Sequence, residues 1–245
     1  MNKDFYSDSA WGASNSRTVI EQRELLAIKI MSHRLQSDST KMLDLGCGDG
    51  CFLEALSKRF ANWKLSGADG SSVQISKAQL RLPSAELKIA DFSASLPFAD
   101  SEFDVLFIGE IIEHMINPDD FLKEARRVLK DGGLICLTTP NLLAWYNRCL
   151  ILLGFSPIFV EYSTTDARVG YGWLKGLKAK TPVGHLRIYQ PDALKDLLEL
   201  TGFKNVEIKS ARFEYLPAKM SLLDSLISRI WVRGGSILVA SAIKG

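Results

Sequence analysis

The chain has 245 residues, a formal net charge of +2 and 47% hydrophobic residues, which are ordinary values for a globular protein with a sizeable core. So small a net charge gives no argument for a nucleic-acid partner. The four cysteines form no Cys-x-x-Cys pair and the chain starts without a secretory signal pattern, so we expect reduced thiols in the cytoplasm. The longest apolar runs, such as residues 149–155, are too short to cross a bilayer.

The predicted elements begin with a polar lead-in over residues 1–15 and a helix over 16–36. Strands and helices then alternate, with strands at 41–45, 63–68, 86–90, 103–109 and 133–138, and helices at 50–60, 71–80 and 118–130. After residue 190 the sequence predicts helix 191–201, strand 203–211, helix 219–231 and strand 236–243. Asn117-Pro118 marks the start of one helix, and Asp131-Gly132-Gly133 marks its end. Alternation of this kind predicts a doubly wound α/β fold, with a mostly parallel sheet and helices on both faces.

Residues 141–190 interrupt the alternation and form a predicted lid insertion before the C-terminal strands. The segment is rich in aromatic side chains and has six cations against two carboxylates. This composition suits a ring-bearing or anionic acceptor, and it equally suits a solvated basic lid packed by its own aromatics. We expect a single domain over 1–245, made of a lead-in and helix (1–37), a cofactor-binding core (38–140), the insertion (141–190) and the C-terminal part of the sheet (191–245).

Three alternating glycines, Gly46, Gly48 and Gly50, lie between the first predicted strand and the next helix. Glycine permits a sharp turn and a close ligand approach, and the amides that open a helix favour an anionic group. The pattern predicts a nucleotide-type cofactor site. In the dinucleotide-binding fingerprint, the position of Cys51 would be a third glycine, which makes a nicotinamide cofactor less favoured without excluding it.

Acidic residues follow the next predicted strands. Asp69 is placed to bind ribose hydroxyls, although an ordinary helix cap fits the same position. Asp91 and Phe92 suit an adenine ring, with an exposed strand end as the alternative. After strand 103–109 come two carboxylates and His114, which is a candidate general base or a structural group.

With these motifs the chain resembles the class I S-adenosylmethionine-dependent methyltransferases, in the branch that includes quinone methyltransferases. The resemblance is carried by Asp44-Leu-Gly-Cys-Gly-Asp-Gly50, Asp69, Ala90-Asp-Phe92, Leu96-Pro-Phe98, Glu113-His-Met115, and residues 124–139. It is dense over 40–140, looser over 185–210, where Gly184-His185-Leu-Arg187 also looks familiar, and weak elsewhere. It implies a seven-stranded, Rossmann-like sheet with one antiparallel strand, at Ser236–Ala242.

The resemblance also implies a cofactor, S-adenosylmethionine, and its site. The methionine end would lie against Gly46, Cys47 and Gly48, with ribose at Asp69 and adenine at Asp91 and Phe92. The full expected set is Asp44, Gly46, Cys47, Gly48, Gly50, Asp69, Gly70, Asp91, Phe92, Gly109 and Glu110. For a hydroxyl acceptor, the histidines near the expected mouth, His114 and His185, are candidate bases. Candidate acceptor-binding residues are Trp145, Tyr146, Arg187 and Tyr189. We expect no metal, because the histidines and carboxylates show no ligand spacing.

The predicted function is methyl transfer to oxygen or nitrogen of a small-molecule acceptor, with quinone, lipid and glycan substrates all open. The alternatives are an NAD-dependent oxidoreductase, a non-catalytic cofactor-binding protein, and a nucleic-acid methyltransferase. The last is disfavoured, because Thr138-Thr-Pro-Asn141 lacks the second proline and the aromatic of the amino-methylating DNA enzymes. Peripheral membrane contact through 142–155 and 222–231 is a further hypothesis, and the oligomeric state stays open.

Overall fold

The computed structural model describes residues 19–34 and 39–245. Its helices are α1 (Gln22–Arg34), α2 (Cys51–Arg59), α3 (Ser72–Arg81), α4 (Pro118–Val128), α5 (Trp145–Leu152), α6 (Pro191–Leu200) and α7 (Ala218–Ile230). Its strands are β1 (Lys41–Leu45), β2 (Lys64–Asp69), β3 (Glu86–Ile89), β4 (Phe103–Gly109), β5 (Leu129–Pro140), β6 (Phe203–Ala211) and β7 (Ile237–Lys244). Short 3-10 turns lie at Ile112–His114, Gly172–Leu177 and Val232–Gly234.

The strands of the described chain form one seven-stranded sheet in the order β3-β2-β1-β4-β5-β7-β6. β7 lies between β5 and β6 and pairs antiparallel with both, whereas the remaining neighbours pair in parallel. This confirms the expected mostly parallel, Rossmann-like sheet with one antiparallel strand. Because parallel strands end at the same edge, the carboxyl ends of β1, β2 and β4 meet there.

The central strands are buried on both faces, and their side chains alternate between two hydrophobic clusters. Leu43, Leu106 and Ile108 point into one cluster, and Met42 and Val105 point into the other. An alternation with period two is what a strand covered on both faces must show. The helices therefore cover both faces of the sheet, as predicted.

Most predicted boundaries agree with the structure to within one or two residues. The helix predicted over 118–130 ends two residues earlier, at Val128, and the strand predicted from residue 133 begins at Leu129. Leu129 already has extended backbone (φ −80°, ψ 139°) and pairs with Phe103, and the register then shifts before Leu134 joins Val105. Pairing of Leu129 with Phe103 thus ends the helix before Gly132 and Gly133 are reached.

The N-terminal predictions are only partly covered by the structure. The predicted helix 16–36 corresponds to α1, which runs from Gln22 to Arg34. The lead-in 1–15 and the predicted helix ends at 16–18 and 35–36 lie outside the described residues. Among the helices of 19–34 and 39–245, none combines the length and apolar character that a bilayer span requires.

The predicted insertion leaves and re-enters the sheet at one place. Asn141 forms an isolated parallel bridge with Tyr189, and the Leu142 amide donates to the Tyr189 carbonyl at 2.8 Å. Within the insertion, the Glu161 carboxylate accepts from the Val183 and Gly184 amides at 2.9 and 2.8 Å. The two ends of the insertion therefore lie side by side, and its last residues are hydrogen-bonded to Glu161 in its middle.

A buried carboxylate joins the insertion to the C-terminal half. Asp224 on α7 is fully buried and accepts hydrogen bonds from the Ser236 hydroxyl (2.7 Å), the Trp145 indole (3.1 Å) and the Phe213 amide (2.8 Å). Burial raises the pKa of Asp224, and these donors oppose that shift. The side chain thus links α5, α7, the start of β7 and the loop after β6.

Asp224→Ala should lower the free energy of unfolding by about 3 kcal/mol, because it leaves three donors without their acceptor. Asp192→Ala is the matched control, since Asp192 pairs with Arg233 on the surface and should cost less than about 1 kcal/mol. Urea unfolding of both variants measures the difference. Equal losses would show that Asp224 does not hold these elements together.

Candidate active site

A cleft of about 800 Å³ lies at the edge where β1, β2 and β4 end. Its lining includes predicted site residues from both halves of the chain: Asp44, Gly46, Cys47, Gly48, Asp69, Gly70, Phe92, Gly109, Glu110, His114 and His185. A second cavity of about 520 Å³ lies at the opposite edge, around Lys41 and Lys64 where β1 and β2 begin, and contains none of them. The predicted chemistry therefore converges on one cleft.

Several predicted residues do not line this cleft: Gly50, Asp91, Trp145, Tyr146, Arg187 and Tyr189. The last four have other contacts. Tyr146 and Tyr189 are buried in the hydrophobic clusters, and the Trp145 indole donates to Asp224. The Arg187 guanidinium donates to the carbonyl of Met115. These contacts hold the insertion against the sheet, and none of the four side chains belongs to the lining of this cleft.

The glycine loop after β1 has a conformation that side chains disfavour. Gly46, Gly48 and Gly50 have φ of +88°, +52° and +79°. A Cβ on Gly46 would lie 2.4 Å from Ile111, and one on Gly50 would lie 3.1 Å from Ala78. A Cβ on Gly48 would meet no atom of the described residues within 4 Å. Gly46 and Gly50 thus permit close packing, whereas Gly48 keeps its part of the cleft open.

Asp69, at the end of β2, ties this loop to its own strand. One carboxylate oxygen accepts from the Gly48 amide and the other from the Ser71 amide, both at 2.9 Å. Asp69 is not the N-cap of the following helix α3. Ser71 is the N-cap, and its hydroxyl accepts from the Gln74 amide. The half-buried carboxylate therefore lines the cleft beside the open face of Gly48.

Asp91 and Phe92 separate at the end of β3. Asp91 is exposed and accepts from the amide and hydroxyl of Ser93 at 2.9 and 2.6 Å. Phe92 is buried, packs 5.7 Å from the Phe121 ring and lines the cleft. The position of Asp91 fits the alternative of an exposed strand end, which the sequence had left open. Of the two residues, only Phe92 lines the cleft.

Glu110 follows β4 in a left-handed conformation, with φ of +55°. Its carboxylate accepts from the Thr138 hydroxyl at 2.9 Å and lies 3.8 Å from the Arg23 guanidinium. A non-glycine residue in this conformation costs about 1–2 kcal/mol. Local strain at the end of a central strand, beside a cleft, is typical of a functional position.

Cys47 places a thiol in the same wall. It is 5% exposed, and its sulfur contacts the Gly48 carbonyl at 3.8 Å. Burial, followed by the nearby Asp44 and Asp69 carboxylates, raises the pKa of the Cys47 thiol far above its ordinary value. The group therefore stays protonated at neutral pH.

Glu113, His114 and His185 meet on the insertion side of the cleft. The two imidazole rings are 5.0 Å apart, and the Glu113 carboxylate is fully buried, with one oxygen accepting from the Thr139 hydroxyl at 2.9 Å. Burial, with Glu110 as a second cause, raises the pKa of Glu113. Burial, with His185 as a second cause, lowers the pKa of His114 to about 4. His114 is therefore neutral at pH 7 and a weak base.

Other cleft residues were not predicted from the sequence. The insertion provides Phe159, Glu161 and Lys178, and the loop after β6 provides Phe213 and Tyr215. The Phe213 ring lies 5.2 Å from Phe159 and 5.4 Å from Tyr215. The aromatic content of the insertion was a signal for Phe159, but nothing in the local sequence marks the loop after β6.

Comparison with known proteins agrees with this geometry. Residues 43–137 match the family described as a methyltransferase domain. A demethylmenaquinone methyltransferase of Staphylococcus carnosus is 30% identical over 209 residues, which cover 80% of this chain and 81% of that protein. A ubiquinone biosynthesis O-methyltransferase of Cereibacter sphaeroides is 28% identical over 202 residues, which cover 81% of this chain and 74% of that protein.

A similar fold is found among solved structures. An S-adenosylmethionine-dependent methyltransferase from Thermotoga maritima aligns with a TM-score of 0.61 and 21% identity, over 91% of this chain and 88% of that one. At this identity the likeness concerns the fold. Together with the relatives it favours methyl transfer over the nicotinamide-dependent and non-catalytic alternatives, and we conclude that the chain belongs to the class I S-adenosylmethionine-dependent methyltransferases.

Proposed function

We propose that this enzyme methylates a small ring-bearing acceptor of the quinone type, bound between the glycine loop and the insertion. The observation that carries the proposal is an aromatic wall, Phe159, Phe213 and Tyr215, in the same cleft as Gly48 and Asp69. Aromatic side chains favour flat, apolar ring systems. Relatives that are named for menaquinone and ubiquinone biosynthesis support this choice over lipid and glycan acceptors.

The residues of the cleft fit S-adenosylmethionine, which supplies an activated methyl group when bound. The open space above Gly48 admits a ligand against the backbone, and Asp69 places a carboxylate beside it for ribose hydroxyls. Phe92 offers an aromatic edge, and Glu110 offers a carboxylate for an ammonium group. We assign Gly50 and Asp91 to the support of the site, since neither lines the cleft.

The chain's own task is to align the two reactants and exclude water, since alignment alone contributes several kcal/mol. On the acceptor side, His114 and His185 were predicted as bases. The low pKa of His114 makes it a poor proton acceptor at neutral pH. His185 is half-buried in the cleft wall, and its Nδ1 lies 2.9 Å from the Phe159 carbonyl, so its Nε2 is the ring nitrogen that has the lone pair in the neutral imidazole.

Gly48→Ala tests the cofactor site, and Gly132→Ala is its matched control. Both glycines have left-handed backbone (φ +52° and +73°), and neither would place a Cβ within 4 Å of a described atom. Each substitution should therefore cost a similar strain of about 1–2 kcal/mol, but only Gly48→Ala puts a methyl group into the cleft. We expect affinity for S-adenosylhomocysteine, measured by calorimetry, to fall roughly tenfold or more in Gly48→Ala and to stay unchanged in Gly132→Ala. Equal affinities in the two variants would remove Gly48 from the site.

Phe213→Ala tests the acceptor wall. With a hydroxylated naphthoquinol as acceptor, we expect S-adenosylhomocysteine release, a methylated product by mass spectrometry, and a KM raised about tenfold by the lost aromatic contact. Trp173→Ala is the control, because Trp173 belongs to the insertion but is 82% exposed outside the cleft lining. Absence of transfer to the quinol, or an unchanged KM in Phe213→Ala, would contradict the acceptor assignment.

The proposal includes peripheral contact with a membrane, through an apolar patch on α5 and α7. Leu222, Leu226 and Ile230 lie four residues apart on one face of α7 and are 73%, 56% and 72% exposed. Leu152 at the end of α5 is 87% exposed, and Arg148 of α5 stacks 4.9 Å over Trp231, which brings the two helices together. Exposed Lys219 and Arg229 give the surroundings a positive charge that suits anionic lipid.

Leu226→Glu should lower flotation with vesicles of mixed anionic and zwitterionic phospholipid, since a charge in the patch opposes burial in the interface. Leu80→Glu, at a residue on α3 that is 85% exposed, is the control and should leave flotation unchanged. If the wild-type protein stays wholly in the soluble fraction, the membrane contact is excluded.

The proposal also includes a cytoplasmic location. It is supported by the four cysteines, which are all free thiols.

A further inference from the structure

The geometry points to a binding site for one divalent transition-metal ion, of the zinc type, formed by Glu113, His114 and His185. One ligand atom from each of these side chains lies within 4.8 Å of the other two. All three side chains line the acceptor side of the cleft. Sequence spacing predicted no metal site, because His185 is 71 positions beyond His114 and only the fold brings it near.

The backbone holds the three residues together. The Leu186 and Arg187 amides both donate to the Glu113 carbonyl, at 2.9 and 3.1 Å. These bonds fasten the residues after His185 to the turn that carries Glu113 and His114. The two parts of the cluster therefore have a fixed separation before any ion binds, which lowers the cost of ordering a site.

Both imidazoles have the tautomer that a metal ligand requires. Nδ1 of His114 lies 3.1 Å from the Gly184 carbonyl, and Nδ1 of His185 lies 2.9 Å from the Phe159 carbonyl. A carbonyl oxygen only accepts, so each Nδ1 carries a proton, and in the neutral form of either ring the lone pair is on Nε2. Histidine ligands of metals are typically oriented by such a bond from the other ring nitrogen to a backbone carbonyl.

The carboxylate of Glu113 supplies the third ligand. It is fully buried, and while Oε2 accepts from Thr139, Oε1 has no hydrogen-bond partner among the described residues. A buried carboxylate oxygen without a donor is costly unless a cation or a proton satisfies it. An ion between Oε1 and the two imidazoles would remove that cost.

Two imidazoles and one carboxylate are a typical ligand set for zinc and related ions, with further coordination positions left open. Ligand atoms on one tetrahedral zinc ion stand about 3.4 Å apart. The ligand atoms of the cluster lie within 4.8 Å of one another, so they would need to approach by about 1.4 Å at most to bind one zinc ion. The open positions would face the cleft, where an oxygen of the acceptor could bind. This last consequence rests on the proposed function, but the ion site itself does not.

Metal binding to the full-length protein, after treatment with a chelator, tests the inference. We expect one equivalent of Co²⁺ to give a visible d–d absorption band, and Zn²⁺ to displace it. His185→Gln should weaken Co²⁺ binding at least tenfold, and Glu113→Gln should do the same. His185 is only half-buried, so its variant is expected to fold. His33→Gln is the control, because His33 is an exposed histidine of α1, and it should leave Co²⁺ affinity unchanged.

Calorimetry with S-adenosylhomocysteine on the same samples separates this inference from the proposed function. Retained cofactor binding in His185→Gln, with Co²⁺ binding lost, supports the metal site. If the wild-type protein binds neither Co²⁺ nor Zn²⁺ stoichiometrically, or if His185→Gln binds Co²⁺ as tightly as the wild type does, the metal site is excluded. In that case the cofactor assignment is unaffected.

Discussion

The loop after β1 is held to the end of β2 by backbone hydrogen bonds, and the geometry of the cleft depends on them. The amides of Gly46 and Cys47 both donate to the Ala68 carbonyl, at 2.7 and 3.1 Å, and the Gly48 amide donates to the Asp69 carboxylate. Such a turn needs the positive φ that glycine tolerates. The Gly48 hydrogen bond both holds the loop in place and orients the Asp69 carboxylate. A change in the loop conformation would therefore also move this carboxylate.

The insertion closes the cleft from the opposite side, and it too is fixed by backbone bonds. Its ends meet where Asn141 pairs with Tyr189, and the Glu161 carboxylate accepts hydrogen bonds from the amides of residues 183–185. The residues first expected to touch the acceptor, such as Trp145 and Tyr146, instead anchor the base of this segment. The aromatic wall comes from Phe159 and from the loop after β6, so two distant parts of the chain form the side of the cleft that we propose for the acceptor.

The elements of the sheet could be predicted because their patterns are local. Alternating apolar strands, the glycine loop and the cap at Asn117-Pro118 all depend on neighbours within a few residues. The end of α4 could not, since it is decided by pairing between Leu129 and Phe103 across the sheet. Likewise, the meeting of the residues that follow β1, β2 and β4 in one cleft was predictable from the topology of parallel sheets. The approach of His185 to Glu113 depends on how the long insertion folds back, and the position of Phe213 depends on the loop after β6; neither segment has a local periodic signal.

The buried Cys47 has a consequence for the durability of the enzyme. A thiolate is a strong nucleophile, and at Cys47 it would lie in the wall of the cleft that we propose for the methyl donor. Because burial and the carboxylates of Asp44 and Asp69 keep the sulfur in its thiol form, it is a poor competitor for the methyl group. The loop can therefore tolerate cysteine at this position without the catalyst alkylating itself during turnover.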